Sequence, residues 1–161
     1  MDRSQIKLSI LSLQYHCYPD EVGGAWGLTY EINKRLVSRG HEVYQITCKS
    51  SENQSSQEVI DGIRYYRVSL QESKGILPLW NAIRKKIKAI LKLGPIHLIH
   101  IHNPLIGFLV LLQPSLWKIT KVYHFHSSWF DEERINAGGI AQIPLKLTLR
   151  LEMIRIMEWM C

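Results

Sequence analysis

The sequence predicts an α/β protein with a doubly wound, mostly parallel β-sheet and helices on both sides of it. Short apolar runs of strand length alternate along the chain with longer segments in which apolar residues recur every three or four positions. This alternation is typical of parallel strands that are joined by crossover helices. A hydrophobic share of 46% is sufficient for a folded core, and a length of 161 residues favours one domain over two small ones.

The first half of the chain is predicted to contain a strand, a loop, a helix, a second strand and a β-hairpin. They lie, in this order, at residues 6–13, 14–24, 25–39, 41–48 and 58–68. The helix has apolar residues four positions apart, and Gly40 follows it where a terminating glycine belongs. Asp61 and Gly62 form a dipeptide that is typical of tight turns, so the last segment is predicted to fold back on itself.

The second half is predicted to contain a helix, a strand, a helix, a strand, a loop and a helix. They lie at residues 78–93, 96–101, 104–117, 119–125, 127–139 and 144–161. Ligands of doubly wound sheets bind at the carboxyl ends of the strands. We therefore expect ligand-binding residues in three segments, at 14–26, 100–103 and 124–129.

Cysteine content and apolar runs exclude several classes of protein. Three cysteines without a CxxC pair do not make a disulfide scaffold or a zinc site, and they favour a reducing compartment. The longest apolar runs, at 8–13 and 104–112, are too short for a signal sequence or a membrane span.

Most of the net charge of +6 comes from one segment. Residues 73–130 contain eight Lys or Arg and no Asp or Glu, whereas the rest of the chain carries −2. Within this segment, residues 80–93 form an amphipathic helix that offers four basic side chains to an anionic membrane surface, namely Arg84, Lys85, Lys88 and Lys92. The alternative is an ordinary solvated face over an apolar stripe that packs on the sheet. No nucleic-acid partner is expected, because the aromatic residues are not interleaved with the basic ones.

Gly23 and Gly24 directly precede the first helix. Glycines let a backbone approach an anion, and the free N–H groups at a helix start can bind phosphate. The segment matches neither GxGxxG nor GxxxxGK[ST], so it does not predict a Walker-type nucleotide site. From these residues alone, a phosphate site and a flexible turn before a helix are both open interpretations.

Two His-x-His pairs lie at the ends of two predicted strands. Side chains two residues apart on a strand share a face, so His100 lies beside His102 and His124 lies beside His126. Imidazoles are common metal ligands, but a metal site here would most simply need a further ligand from Asp20, Glu21 or Asp131. We therefore expect no bound metal. In the other interpretations, one histidine of each pair hydrogen-bonds within the fold, or those nearest the strand ends contact a polar ligand. His126 is the strongest candidate for that contact.

Four segments carry a resemblance to a known family. They are IKLSILSLQYHCYPDEVGGAWGLTYEINKRLVSRGHEVYQIT, VIDGIRYYRV, IHLIHIHNP and VYHFHSS. They resemble the N-terminal domain of the family 4 glycosyltransferases, which are retaining, nucleotide-sugar-dependent enzymes of the GT-B fold. The first is similar to that family's strand, Gly-Gly turn, helix and "RGHEV" strand, and the others to its "dGv-vyRv" hairpin, "H-x-H-n-P" strand and "T-x-H-g" strand end. The order is the family's own, and the resemblance implies a Rossmann-like domain.

The resemblance implies roles for seven residues. Gly23 and Gly24 match the loop that faces the donor diphosphate across the interdomain cleft. His126 matches the histidine that contacts the donor sugar or lines the reaction site, so it is the candidate catalytic residue. Four further residues match the acceptor side of the cleft, namely His16, His102, Asn103 and Ser127.

The sequence also departs from the family pattern. His97 stands where the family usually has an acid, and His124 and Ser127 stand where it has Thr and Gly. The E-x7-E motif of the family's second domain is missing, because Glu152 and Glu158 are six positions apart. We therefore expect residues 1–161 to be an acceptor-side domain that ends within its last helix and acts with a C-terminal domain or a partner chain.

These observations predict half of a retaining glycosyltransferase of polysaccharide biosynthesis. The resemblance implies a nucleotide diphosphate sugar as co-substrate, a glycan or lipid-linked acceptor, and no metal or other cofactor. The expected location is cytoplasmic, peripheral on the inner face of the membrane where the basic helix binds lipid. Two alternatives are a non-catalytic Rossmann-like module that binds a sugar or phosphate, and a membrane-surface adaptor.

Overall fold

A computed structural model of the protein describes residues 6–127, 131, 135, 152–157 and 159. The strands within these residues are β1 (Ser9–Leu13), β2 (Glu42–Cys48), β3 (Gln57–Ile60), β4 (Ile63–Val68), β5 (Leu98–Ile101) and β6 (Thr120–Tyr123). The helices are α1 (Gly24–Ser38), α2 (Ile76–Leu91) and α3 (Pro104–Leu111), followed by a 3₁₀ turn at Pro114–Leu116. The order of these elements is the predicted one.

The six strands form one sheet in the order β3-β4-β2-β1-β5-β6. Every neighbouring pair is parallel except β3 and β4, which form an antiparallel hairpin. β1 lies in the middle of the sheet, where Leu11 is in register with Tyr44 of β2 and with Ile99 of β5. The predicted α/β fold with a doubly wound, mostly parallel sheet is confirmed.

Two turns depend on glycines with left-handed backbone. Gly40 has a φ of 88° and ends α1, where its N–H donates to the carbonyl of Val37 at 2.9 Å. Asp61 and Gly62 have φ values of 48° and 80°, which gives the tight hairpin predicted between β3 and β4. Gly40 lies just before β2, and Asp61 and Gly62 lie between β3 and β4. Both turns are therefore outside the strands and leave the central strands uninterrupted.

The two faces of the sheet are packed differently. One face carries the larger apolar core, in which Leu11 and Leu13 of β1 are buried with the apolar stripe of α2, namely Leu79, Ile83, Ile87 and Ile90. The other face lies under α1 and contains a buried polar group. There, Asn33 of α1 donates from Nδ2 to Oγ of Ser12 at 3.1 Å and to Oε1 of Gln45 at 2.7 Å. These bonds tie α1 to β1 and β2, and so they help to position the start of the helix.

Two helices have a boundary that differs from the predicted one by two residues or more. α2 begins at Ile76, two residues early, so that Pro78 falls in the first helical turn, where its missing N–H is tolerated. The helix predicted at 104–117 ends at Leu111 and is followed by the 3₁₀ turn. The reason is Pro114, because the residue before a proline is driven out of the helical region, and Gln113 has φ −101° and ψ 109°.

The predicted loop at 127–139 and last helix at 144–161 lie largely outside the described residues. Within that part, residues 152–157 are helical. Among the helices that the structure describes, none combines the length and the apolar character that a membrane crossing requires.

A buried ion pair fixes the loop that follows β1. Arg67 of β4 is 1% exposed and donates from Nη2 to Oδ1 of Asp20 at 2.8 Å, and the side chain of Asp20 is itself only 5% exposed. Arg67 also donates from Nη1 to Oε2 of Glu58 at 2.9 Å. Next to it, the hydroxyl of Tyr65 donates to the carbonyl of Tyr18 at 2.7 Å. The loop is therefore held to β4 at two points.

We expect Asp20→Asn to lower the free energy of unfolding by about 3 kcal/mol, because it leaves the buried Arg67 guanidinium without its main counter-charge. Urea unfolding at neutral pH measures this loss. Glu31→Gln is the matched control, since its pair with Arg35 is exposed at the surface and should change stability by less than about 0.5 kcal/mol. Equal losses in the two variants would contradict the anchoring role of Asp20.

Candidate functional site

A cleft of about 380 Å³ opens at the carboxyl ends of β1, β5 and β6. The loops after these strands and the start of α1 form its walls, because the carboxyl ends of parallel strands lie at one edge of the sheet. All seven residues assigned to the donor and acceptor sides line it, namely His16, Gly23, Gly24, His102, Asn103, His126 and Ser127. The three segments selected from the sequence thus meet in one place.

The start of α1 presents free backbone donors to this cleft. Gly23 is the N-cap residue, in extended conformation, and no side chain in the described part of the chain caps this end of the helix. The N–H of Gly27 makes the first intrahelical bond, to the carbonyl of Gly23 at 2.8 Å. The preceding N–H groups, those of residues 24–26, therefore have no intrahelical acceptor, and the positive end of the helix dipole lies at the cleft.

The two glycines at this helix start have different roles. A Cβ on Gly23 would come within 2.7 Å of Cε3 of Trp26, so the close packing of the indole requires a glycine there. A Cβ on Gly24 would meet no atom within 4 Å. Gly24 therefore leaves an open approach to the helix start that the packing of the protein itself does not need.

Four histidines from two neighbouring strands form a stack beside the cleft. His100 and His102 follow one another along β5 and its end, and their ring centroids are 3.9 Å apart. His124 and His126 come after β6, with centroids 4.5 Å apart and an interplanar angle of 15°. The two pairs are joined by a 3.1 Å hydrogen bond between Nδ1 of His102 and Nε2 of His126. The sequence predicted that the histidines of each pair lie side by side, but not that the two pairs are in contact.

Burial keeps the inner part of this stack neutral. Desolvation, reinforced by the neighbouring imidazoles, lowers the pKa of His102 to about 2 and the pKa of His100 to about 4. The pKa of the half-buried His126 is also lowered, again mainly by desolvation and then by His124. At pH 7, His102 and His126 are therefore a pair of neutral rings joined by one hydrogen bond.

The other acceptor-side candidates are held in different ways. His16 packs edge-on against Tyr15 and Trp26, with ring centroids at 4.7 and 5.5 Å, and its buried Nδ1 has no hydrogen-bond partner among the described residues. Asn103 caps α3, because its Oδ1 accepts from the N–H of Ile106 at 3.2 Å. Ser127 is exposed at the rim. Half of the Asn103 amide is thus used by the fold itself.

Six further described residues that line the cleft were not assigned a role from the sequence, and the structure shows the contacts of two of them, Trp26 and Gln14. Trp26 forms part of the wall and packs on both Gly23 and His16. Gln14 is buried under the cleft, where its Oε1 accepts from the N–H of Tyr15 at 2.9 Å. Trp26 could have been identified from the sequence, because it directly follows Gly23, Gly24 and Ala25. The role of Gln14 could not, because it depends on how the chain turns after β1.

The predicted membrane-contact residues lie apart from the cleft. Arg84, Lys85, Lys88 and Lys92 are exposed on α2, and none of them is among the described residues that line the cleft. The guanidinium of Arg84 lies over the Trp80 ring, 5.4 Å from its centroid. The apolar stripe of α2 is buried in the core, so the face that is available to a partner is mainly basic.

Comparison with known proteins identifies a family and a fold. The family described as Glycosyltransferase Family 4 matches the sequence over residues 22–157. Among solved structures, sucrose-phosphate synthase from Thermosynechococcus elongatus matches with a TM-score of 0.65 at 17% sequence identity. That match covers 92% of this chain and 39% of the other, so the chain spans about two fifths of that protein's length. No curated protein matches the sequence.

The neutral histidines predict a loss of stability in mild acid. Below pH 6.5 the unfolded chain binds protons at His100 and His102, whereas the folded protein, with pKa values of about 4 and 2 at these residues, does not. The free energy of unfolding should therefore fall between pH 6.5 and 4.5, by up to about 1.4 kcal/mol per pH unit for each histidine. Denaturant unfolding in metal-free buffer across this range measures the slope.

His100→Gln should make the dependence of the unfolding free energy on pH shallower by the contribution of one histidine, which is up to about 1.4 kcal/mol per pH unit. His97→Gln is the control, because His97 is exposed and its Nδ1 accepts only from the N–H of Ser9, an interaction that a glutamine oxygen can replace. An unchanged slope in His100→Gln would show that the acid sensitivity arises elsewhere.

Proposed function

The chain belongs to glycosyltransferase family 4, and from this membership we propose that it is the acceptor-side half of a retaining enzyme of the GT-B fold. The enzyme transfers a sugar from a nucleotide diphosphate sugar to a glycan or lipid-linked acceptor, as in polysaccharide biosynthesis. The observation that carries the proposal is the meeting of an uncapped helix N-terminus and a neutral imidazole pair in one cleft.

In this proposal the start of α1 stabilises the leaving diphosphate. Negative charge develops on the diphosphate as the bond to the sugar breaks, and preorganised N–H groups lower the energy of that charge. The free N–H groups of residues 24–26 supply such donors, and Gly24 lets a phosphate approach them without a side chain in the way. This stabilisation needs no metal ion at the diphosphate.

His126 contacts the donor sugar in the proposed reaction. It lines the cleft, and its bond to His102 fixes the orientation of the ring. Its lowered pKa keeps it neutral, so it acts as a hydrogen-bonding group toward a sugar hydroxyl and not as a cation. The absence of Asp and Glu between residues 73 and 130 is consistent with a retaining transfer that uses no carboxylate nucleophile from these strand ends.

The acceptor binds on the other side of the same cleft. His16 has a buried nitrogen without a partner among the described residues, and a hydroxyl of the acceptor would satisfy it. The amide nitrogen of Asn103 and the exposed hydroxyl of Ser127 are further polar groups on this side. The nucleotide itself is proposed to bind to a second Rossmann-like domain, supplied by a C-terminal region or by a partner chain.

We expect Gly24→Val to abolish sugar transfer while leaving the fold intact, because a Cβ at this position meets no atom of the described residues, whereas the side chain blocks the diphosphate. His126→Gln should lower transfer by about 10²-fold or more, as is typical when a donor to a reacting group is lost. Transfer from a panel of nucleotide sugars, followed by mass spectrometry, measures both in the enzyme completed by its donor-binding half.

The matched control is Gly94→Val, because a Cβ on Gly94 also meets no atom within 4 Å and Gly94 lies outside the cleft. It should retain transfer. If the completed enzyme transfers no sugar from any nucleotide donor, the non-catalytic binding module becomes the better interpretation. Full transfer by both Gly24→Val and His126→Gln would mean that the reaction occurs elsewhere.

The basic face of α2 is proposed to bind the cytoplasmic face of an anionic membrane. Because the apolar stripe of the helix is buried in the core, the attraction must be mainly electrostatic and therefore sensitive to salt. Leu77, at the start of the helix, is 71% exposed and could enter the lipid headgroup region alongside these charges. Such contact would bring the cleft close to a lipid-linked acceptor.

Lys85→Gln/Lys88→Gln should weaken binding to vesicles that contain anionic lipid by roughly 30-fold, from about 1 kcal/mol for each lysine. Co-sedimentation with vesicles of increasing anionic content measures this effect. Arg35→Gln/Arg39→Gln removes the same charge from α1, on the other face of the sheet, and should bind like the unaltered protein. Binding that does not depend on anionic lipid would rule out the membrane role.

A further inference from the structure

Three of the four stacked histidines form a group with the geometry of metal ligands. His100, His102 and His124 each offer one ring nitrogen, and these three atoms lie within 4.8 Å of one another. Nitrogens bound to one Zn²⁺ at about 2.0–2.1 Å lie about 3.4 Å apart in a tetrahedral site. Ring rotations that move each nitrogen by about 1 Å would therefore bring the group into coordination.

A buried nitrogen of His102 points to a missing ligand. The His102 side chain is 4% exposed, and its Nε2 has no hydrogen-bond partner among the described residues. A buried polar atom without a partner is costly, so in native structures such an atom usually binds an ordered water or an ion. The other nitrogen, Nδ1, is bonded to Nε2 of His126. Metal-binding histidines normally have this arrangement, with one nitrogen on the metal and the other held by a hydrogen bond.

The sheet itself holds the three rings together. His100 of β5 is in register with Val122 of the parallel neighbour β6, and the N–H of His124 donates to the carbonyl of Ile101 at 2.8 Å. Alternation along the strands sends His100 and His124 to the face opposite Ile99 and Ile101, away from the larger apolar core. The ligands thus start from two hydrogen-bonded strands, which limits the motion needed to close the site.

The nearby chemistry selects the type of metal. All three candidate ligands are imidazoles, and Asp20, one of the three acids considered from the sequence, is engaged by Arg67. Imidazole ligands suit Zn²⁺, Cu²⁺, Ni²⁺ and Fe²⁺, whereas Mg²⁺ and Ca²⁺ require oxygen ligands.

We propose that His100, His102 and His124 bind a divalent transition metal, with Zn²⁺ as the fitting ion and Nε2 of His102 as one ligand atom. The sequence led us to expect no metal, because no carboxylate lies near either histidine pair; the structure instead brings three imidazoles of the two pairs together. Three protein ligands leave a fourth position for water. This site is separate from the proposed diphosphate contact at α1 and does not depend on the transfer reaction.

The metal would fix the protonation pattern of the pair that reaches the cleft. With Nε2 of His102 on the metal, Nδ1 must carry the proton and donate it to Nε2 of His126. A neutral His126 then carries its own proton on Nδ1. Metal binding thus sets which nitrogen of His126 is the hydrogen-bond donor. His102 and His126 then form one chain of hydrogen bonds that leads from the metal to the cleft.

Titration of the metal-free protein with Co²⁺ tests the site directly. We expect one equivalent to bind, to produce the visible absorption of a tetrahedral Co²⁺ centre, and to be displaced by Zn²⁺. Loss of an outer partner of a metal-bound histidine costs about 10–100-fold in affinity, so His126→Ala should fall in that range. His124→Gln removes a ligand and should weaken binding by at least 100-fold, which is about 2.7 kcal/mol or more.

His97→Gln is the control, because His97 is exposed and outside the group, and it should bind like the unaltered protein. Equal affinity in His124→Gln and the unaltered protein would overturn the proposal, as would binding only at a surface histidine that His97→Gln removes. If His124→Gln does not fold, X-ray absorption of the Zn²⁺ complex of the unaltered protein decides: fewer than three imidazole ligands would contradict the site. None of these measurements uses sugar transfer, so the two proposals can fail separately.

Discussion

The position of β1 in the middle of the sheet is the constraint on which the rest of the structure depends. From β1 the chain winds outward to β2 and β4 on one side and later to β5 and β6 on the other. Leu13, the last residue of β1, is in register with Ile46 of β2 and Ile101 of β5, so these strands reach the same level at the cleft. After β1 the chain continues into α1 on one face of the sheet, and after β5 it continues into α3 on the other face. A crevice therefore forms between these two connections.

Two buried polar groups next to β1 then determine the shape of this crevice. Asn33 holds α1 to the sheet through Ser12 and Gln45, which directs the helix start toward the cleft. Arg67 and Asp20 hold the loop between β1 and α1 against β4. Arg67 and Asp20 satisfy each other within the fold, whereas Nε2 of His102 and Nδ1 of His16 have no partner among the described residues. Two of the five such buried atoms among the described residues, those of His16 and His102, therefore lie at the cleft.

The parts that the sequence predicted are those with local signals. Strand and helix periods, the Asp61-Gly62 turn and the carboxyl-end rule were enough for the order of the elements, the sheet class and the three segments of the cleft. Contacts between distant residues were not predictable in this way. Arg67 and Asp20 are 47 positions apart, and the union of the His102 and His126 pairs depends on the register of β5 with β6. The distinct roles of Gly23 and Gly24 depend on where the Trp26 ring packs, which no motif records.

The distribution of charge limits how strongly the cleft can attract an anion by itself. Four of the eight basic residues between 73 and 130 are exposed on α2, whereas no Lys, Arg, Asp or Glu is among the described residues that line the cleft. Its histidines at 102 and 126 are neutral, so the attraction for an anion there comes from the partial positive charge of the α1 N-terminus. A helix terminus of this kind contributes about 0.3–2 kcal/mol, which is far less than tight binding of a nucleotide sugar requires. Under the proposed function, most of the donor affinity would therefore come from a second domain or a partner chain, and this chain would supply the geometry in which the leaving phosphate and the acceptor meet.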